Sequence, residues 1–234
     1  MNWNTLVKVA RYHMFGGWIL FLAAPWVVLA VNFAPYLVGA AVAKPPPPGQ
    51  FYGSGAVFAI YLCFFIPGIV GMLRSMPFAL SLGVSRRAYY AGTVLLGVGL
   101  AAVYGLALAI LAVIERATTG WGVHLDFFQV SYILAGPWYL TWLTSFAGLA
   151  VMFVYGMWFG LVYWRWDVAG LLVFGAAQIL VGGAGALAAT ATSAWPAIGR
   201  FFTTLGAAGL TGAVAALVVV LLAGGYATMR RVTV

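Results

Sequence analysis

Apart from a few short polar connections, this sequence is a succession of apolar runs, each long enough to cross a lipid bilayer. A hydrocarbon core about 30 Å thick asks for roughly 20 apolar residues per helix. Hydrophobic residues make up 65% of the 234 positions and charged residues only 6%. No soluble fold of this length could bury that much apolar surface. The chain has room for about six such helices with short loops and little else. The expected fold is all-α integral membrane, a single transmembrane domain over residues 1–234 with no soluble catalytic domain beside it.

Breaks in the apolar pattern divide the chain. Residues 1–14 read, from Asn2 to Met14, as a helix lying in the membrane interface. Trp3, Leu6, Val7, Ala10 and Met14 share one face, and Asn4, Lys8 and Arg11 the other. His13 on that helix reads as part of the same amphipathic anchor. Gly16 and Gly17 then hinge into a first span over Trp18–Val42, kinked at Pro25 and Pro35. Carbonyls freed by such prolines can be satisfied from neighbouring helices. Four consecutive prolines, Pro45 to Pro48, cannot continue a helix and mark the clearest boundary.

Five further spans are expected over Ser54–Leu73, Tyr89–Ile114, Pro137–Tyr163, Val168–Thr190 and Leu205–Ala227. Pro67-Gly68 should kink the second, and Trp164-Arg165-Trp166-Asp167 should turn tightly between the fourth and fifth. Between the third and fourth, Asp126 is positioned to cap a short amphipathic helix running through Leu134. With both termini cytoplasmic, the inside holds Lys8, Arg11, Arg74, Arg86, Arg87, Arg165, Arg230 and Arg231, and the outside only Lys44, Arg116 and Arg200. Eight against three is the bias that membrane insertion favours. The net charge of +8 is thus a topological signal rather than a nucleic-acid footprint, since the basic residues form no dense patch.

Few residues could carry acid–base or metal chemistry. The acids are Glu115, Asp126 and Asp167, and the histidines His13 and His124. His124 and Asp126 supply too few ligands for a zinc site. Glu115 and Arg116 fall where the third span leaves the membrane and read as an interfacial ion pair or a solvated helix end. Cys63 is the only cysteine and sits inside an apolar run. The sequence contains no GxSxG, HExxH or GxxxxGK[ST] motif. The chain is therefore read as neither an enzyme nor an ATP binder, with no cofactor of its own.

Polar and aromatic residues within spans are better functional pointers, because placing polar groups in lipid is costly. Gln178 lies near the middle of the fifth span, and Tyr61, Phe64 and Phe65 lie beside Pro67 in the second. These four are the candidates for lining a pathway; a satisfied interhelical hydrogen bond and ordinary core packing are the simpler alternatives. Gly156 and Gly160 form one GxxxG pair, and Gly206, Gly209 and Gly212 follow at three-residue spacing. Such residues let helices approach closely, within a subunit or between two.

Residues 74–88 form the most informative connection. Pro77 suits the first turn of a short helix, which needs no backbone donor there. Phe78, Ala79, Leu80 and Leu82 offer a small apolar surface, Gly83 can end the helix in a left-handed cap, and Ser85 can cap the next. Arg86 and Arg87 then stand at a helix start, the unfavourable end for a cation. A short apolar helix exposed to the cytoplasm points to a partner.

The run Phe78-Ala79-Leu80-Ser81-Leu82-Gly83-Val84-Ser85-Arg86-Arg87, followed by Tyr89, Tyr90, Gly92 and Thr93, is similar to the second-to-third-span loop of bacterial ABC-2-type transporter permeases. The amphipathic first helix, the six spans and the short basic tail resemble that family in outline. The resemblance implies a permease half in the bacterial cytoplasmic membrane, paired with a second copy or a paralogue. A separate ATPase subunit would carry ATP and Mg. Residues 1–14 would be the connecting helix. Pro77, Phe78, Ala79, Leu80, Leu82, Gly83, Ser85, Arg86 and Arg87 would couple to the ATPase. The implied function is export of an amphipathic, lipidic or antibiotic- or peptide-like cargo. The competing expectation is a membrane assembly or signalling protein that docks a different cytoplasmic partner through residues 74–88.

Overall fold

The computed structural model describes residues 3–43, 47, 50–53, 55–130, 134 and 136–229. Seven α-helices account for most of them: α1 (Trp3–Gly16), α2 (Ala24–Val42), α3 (Phe58–Leu73), α4 (Ser75–Ser81), α5 (Arg86–Ala117), α6 (Trp138–Ala191) and α7 (Trp195–Met229). Two-residue strands β1 (Tyr52–Gly53) and β2 (Leu125–Asp126) pair in parallel. The segments Ile19–Val42, Phe58–Ser81, Arg86–Ala117, Trp138–Ala191 and Trp195–Met229 are long and apolar enough to cross a membrane. This is an all-α chain with the makeup of a membrane protein.

At 54 residues, α6 would extend about 81 Å if straight, far beyond a hydrocarbon core of about 30 Å. It is broken at Asp167, where φ is 57° and ψ is −158°. The two arms, 138–166 and 168–191, fold back on each other: Phe159 meets Phe174 edge-on at 5.1 Å, and the Tyr155 hydroxyl donates to Gln178 Oε1. The turn expected around Trp164–Asp167 is thus made at one residue, with the Arg165 guanidinium 4.8 Å over the Trp166 ring. A second break at Gly206 (φ 62°) divides α7 into 195–205 and 207–229.

The centre of the molecule is α3 and α5 packed on the first arm of α6. Small residues set the spacing. A Cβ added to Gly68 would strike the Phe153 carbonyl oxygen, and one added to Gly156 would strike that of Phe65. The backbones of α3 and α6 therefore touch, and the Gly156/Gly160 pair serves packing within the subunit. The later arm of α7 is pinned by Trp158 Nε1 donating to the Leu221 carbonyl, Tyr90 Oη to that of Leu222, and a Thr144–Thr211 hydroxyl pair at 2.6 Å. The arm 168–191, by contrast, is exposed along most of its length.

Before α2 the chain makes one π-helical turn, Ile19–Ala23. Pro25 cannot donate to the Phe21 carbonyl, so that helix ladder is incomplete. Tyr104 of α5 compensates: its hydroxyl lies 2.7 Å from the Leu22 carbonyl oxygen and 3.3 Å from that of Phe21.

Several sequence expectations are shifted. The third long helix begins at Arg86 rather than Tyr89 and runs to Ala117. Residues 127–130 are not helical, so the short helix expected after Asp126 does not start there. Its later part, most of the proline run with Lys44, and Arg230 and Arg231 lie outside the described residues. On α1 the buried stripe is Leu6, Val9 and His13, while Met14 is exposed. The buried stripe differs from the expected apolar face because α1 packs on α5. A Cβ on Gly92 would meet Val9 Cβ at 2.8 Å, so a glycine admits α1 there.

Candidate docking surface

The connection between α3 and α5 is built as its local sequence dictates. Arg74 keeps helical angles (φ −91°, ψ −41°), so α4 continues the direction of α3 past a weak point. Its C-terminus closes in a Schellman motif: Val84 N–H donates to the Ala79 carbonyl and Gly83 N–H to that of Leu80. Gly83 has φ +80°, the left-handed position that favours a residue without Cβ. Ser85 follows in extended conformation, and its hydroxyl accepts from Ala88 N–H at 3.3 Å, capping α5. The pair of caps fixes a reversal between α4 and α5 in four residues.

That reversal decides which side chains face outward. Met76 and Ala79 are buried, and Pro77 and Leu80 half-buried. Phe78 and Leu82 stay 50% and 67% exposed. Tyr12 of α1 stacks on Phe78 with ring centroids 5.6 Å apart. Beside this pair lies a hollow of about 210 Å³ lined by Lys8, Val9, Tyr12, Phe78, Leu82 and Val84, among others. Gly83 and Arg87 are exposed and Arg86 half-buried. Ser85, Arg86 and Arg87 line a second hollow of about 420 Å³ with Tyr226 and Met229 of α7. The surface is thus an exposed apolar pair on a rigid short helix, flanked by cations. It can bind a complementary groove, and it holds no acid–base set.

The four pathway candidates separate into two groups. Tyr61 and Phe64 are core: the Tyr61 hydroxyl donates to Ser145 Oγ at 3.2 Å, and Phe64 packs edge-on against Tyr104 at 5.2 Å. Phe65 and Gln178 belong to an aromatic cluster with Tyr155 and Phe159 at the α6 hairpin. The bond from the Tyr155 hydroxyl to Gln178 Oε1 joins the two arms of α6, so the interhelical hydrogen bond weighed from sequence is present, and Gln178 Nε2 donates within its own arm to the Phe174 carbonyl.

Two polar sites differ from expectation. Glu115 is not solvated and has no ion-pair partner among the described residues: it is fully buried, and its carboxylate accepts from Trp121 Nε1 and from the backbone N–H groups of Phe127, Phe128 and Gln129. Arg116 instead donates to Gln129 Oε1 and to the carbonyls of Leu134 and Gly136. The neighbouring Asp126 has its pKa raised by burial and by the Glu115 charge, partly offset by Arg116. His13, expected as a surface anchor, is 2% exposed and bonded through Nε2 to Thr93 Oγ1 at 3.1 Å. Burial holds its pKa down to about 4. Among the described residues, no group of three or more His, Cys, Asp or Glu side chains could hold a metal.

The chain is thus a helical protein with several apolar helices long enough to cross a membrane and a short helix, α4, that presents Phe78 outward with Leu82 beside it. The chain matches no protein-family model, no curated protein and no solved structure.

Proposed function

We propose that this chain is the transmembrane permease subunit of an ATP-binding-cassette exporter in a bacterial cytoplasmic membrane. Counting the arms of α6 separately gives six spans. An even number returns both termini to one side, and Lys8, Arg11, Arg74, Arg86, Arg87 and Arg165 make that side the cytoplasmic one. Two copies, or one copy and a paralogue, form the pathway. A separate ATPase subunit supplies ATP and Mg.

The supporting observation is α4: a seven-residue helix at the basic end of the molecule, capped rigidly at Gly83 and Ser85, with Phe78 and Leu82 presented outward. An apolar pair held this way stays in water only at a cost, roughly 1.5–3 kcal/mol per large side chain when fully transferred. Docking in an ATPase groove recovers that energy. Because α4 continues α3, and α3 packs backbone to backbone on α6, displacement of α4 is passed to the centre of the bundle. The apolar interior suits an amphipathic or lipidic cargo, with Tyr61, Phe64, Phe65 and Gln178 the residues to probe.

The test is co-purification in mild detergent of tagged wild type and a Phe78→Asp, Leu82→Asp variant. An ATPase retained by wild type and lost by the variant is the expected result. Absence of an ATPase from wild type in several detergents contradicts the proposal and favours a docking protein with a different partner.

A further inference from the structure

Trp164 Nε1 donates to the Met72 carbonyl, so the break at Asp167 lies at the end of the molecule that carries α4. From there the arm 168–191 rises about 36 Å, enough to carry the chain across a hydrocarbon core of about 30 Å. The later arm of α7, 207–229, returns over about 35 Å. It ends beside Ser85, Arg86 and Arg87, where Tyr226 and Met229 share a hollow with them. Each arm is long enough to cross by itself. Residues 195–205, set off by the break at Gly206 (φ 62°, ψ −179°), are thus a helix left over at the far surface.

That helix is sorted by polarity. At about 100° per residue, Trp195, Ala197, Ile198, Phe201, Phe202 and Leu205 fill one continuous arc of roughly 160°. Pro196, Gly199, Arg200, Thr203 and Thr204 complete the circle. The threonine hydroxyls donate within their own turn, Thr203 to the Arg200 carbonyl and Thr204 to that of Phe201, both at 2.9 Å. The bundle leaves most of the apolar arc open: Trp195, Phe201 and Phe202 are 52%, 60% and 52% exposed. The Trp195 indole N–H donates to Thr190 Oγ1 at 3.0 Å, so its polar edge is satisfied while its ring is presented outward. A helix with Trp, Phe and Leu on one face and a cation on the other suits the plane of a membrane interface.

We propose that residues 195–205 bind the lipid surface on the side opposite α4, lying flat at the boundary between acyl chains and headgroups. Phospholipid acyl chains cover the apolar arc, continuous with those around the exposed arm 168–191. Exposed Arg200, on the polar arc, is left among the lipid phosphates. Gly206 supplies the left-handed φ that turns the flat helix into the returning span. The connection between the last two spans is thereby anchored to the bilayer rather than to the bundle. The inference rests on the membrane placement of the helices and not on what docks at α4.

The experiment is electron paramagnetic resonance on the full chain in vesicles of phosphatidylcholine and phosphatidylglycerol. Single nitroxide labels are carried by Ile198→Cys, Gly199→Cys, Phe202→Cys and Thr203→Cys in a Cys63→Ala background. Gly199 has open space around its Cβ position, so a label there displaces no neighbour. Collisions with oxygen, which concentrates among acyl chains, are compared with those of a nickel chelate, which stays in water. Expected are labels at 198 and 202 open to oxygen and closed to nickel, about 5–10 Å below the headgroup boundary, with 199 and 203 open to nickel. Replacing Phe201 and Phe202 by Asp should then open position 198 to nickel. Nickel access at all four positions places the helix in water and overturns the proposal. Oxygen access without nickel at all four makes it part of a span, which also overturns it. Immobile labels at 198 and 202 closed to both reagents assign the arc to protein, such as a second copy. Unchanged nickel access at 198 in the double Asp variant overturns the anchoring role of the phenylalanines.

Discussion

The Trp121 indole N–H donates to Glu115 Oε2 at 2.8 Å, closing a ring of N–H donors around a fully buried carboxylate. The remaining donors are the amides of Phe127, Phe128 and Gln129, so one side chain at the end of α5 organises the whole loop that follows it. Around it Phe33, Phe127 and Phe128 pack at ring distances of 4.9 to 5.7 Å. Glu115 thereby ties α5 and this loop to α2.

Replacing Glu115 with Gln turns one acceptor oxygen into an NH2 that faces N–H donors. Hydrogen bonds to a charged group contribute about 1.5–3 kcal/mol each. Glu115→Gln should lower stability by about 2–4 kcal/mol, read as a fall in melting temperature in detergent. In a cycle with Trp121→Phe the two losses should not add.

His13 gives a pH signature. Its folded pKa of about 4 lies below the ordinary 6.5. The unfolded chain therefore binds the proton first, and stability is full above about 6.5 and falls as pH drops toward 4. Melting temperature against pH should decline through that window in wild type and flatten there in His13→Asn. The variant should be less stable at neutral pH, where the bond to Thr93 is lost.

Asp167 occupies backbone angles that only glycine adopts without strain. Asp167→Gly should stabilise the α6 hairpin by about 1–3 kcal/mol, seen as a higher melting temperature. Asp167→Val should lower it.

Glycines of the membrane-length helices should divide by environment. Gly156 faces the Phe65 carbonyl, whereas Gly182 has open space around its Cβ position. Gly156→Val should abolish recovery of folded protein by size exclusion, while Gly182→Val should leave yield and melting temperature unchanged.

Legibility from sequence follows the range of the interaction. Gly83 and Ser85 act on their own backbone within a few residues, so the capped reversal beside Phe78 and Leu82 was readable. The turn at Asp167 was readable from the apolar lengths on either side. His13 and Glu115 were misread because their partners lie far along the chain, Thr93 at a separation of 80 residues and Phe127 to Gln129 at 12 to 14. A polar residue near a predicted interface reads as solvated until a second element covers it. Tyr104 belongs with them: compensation of the carbonyls near Pro25 was foreseeable, but not that a tyrosine 82 residues later would supply it.

The most direct test of the central proposal places a cysteine on α4. Leu82→Cys in a Cys63→Ala background carries a photo-crosslinker into native membranes, with Leu172→Cys, exposed on the outer arm of α6, as control. The account predicts a product at position 82 that contains an ATP-hydrolysing subunit, changes in yield when ATP is added, and is absent at position 172. A position-82 product without any ATPase, or the same ATPase at both positions, would contradict it.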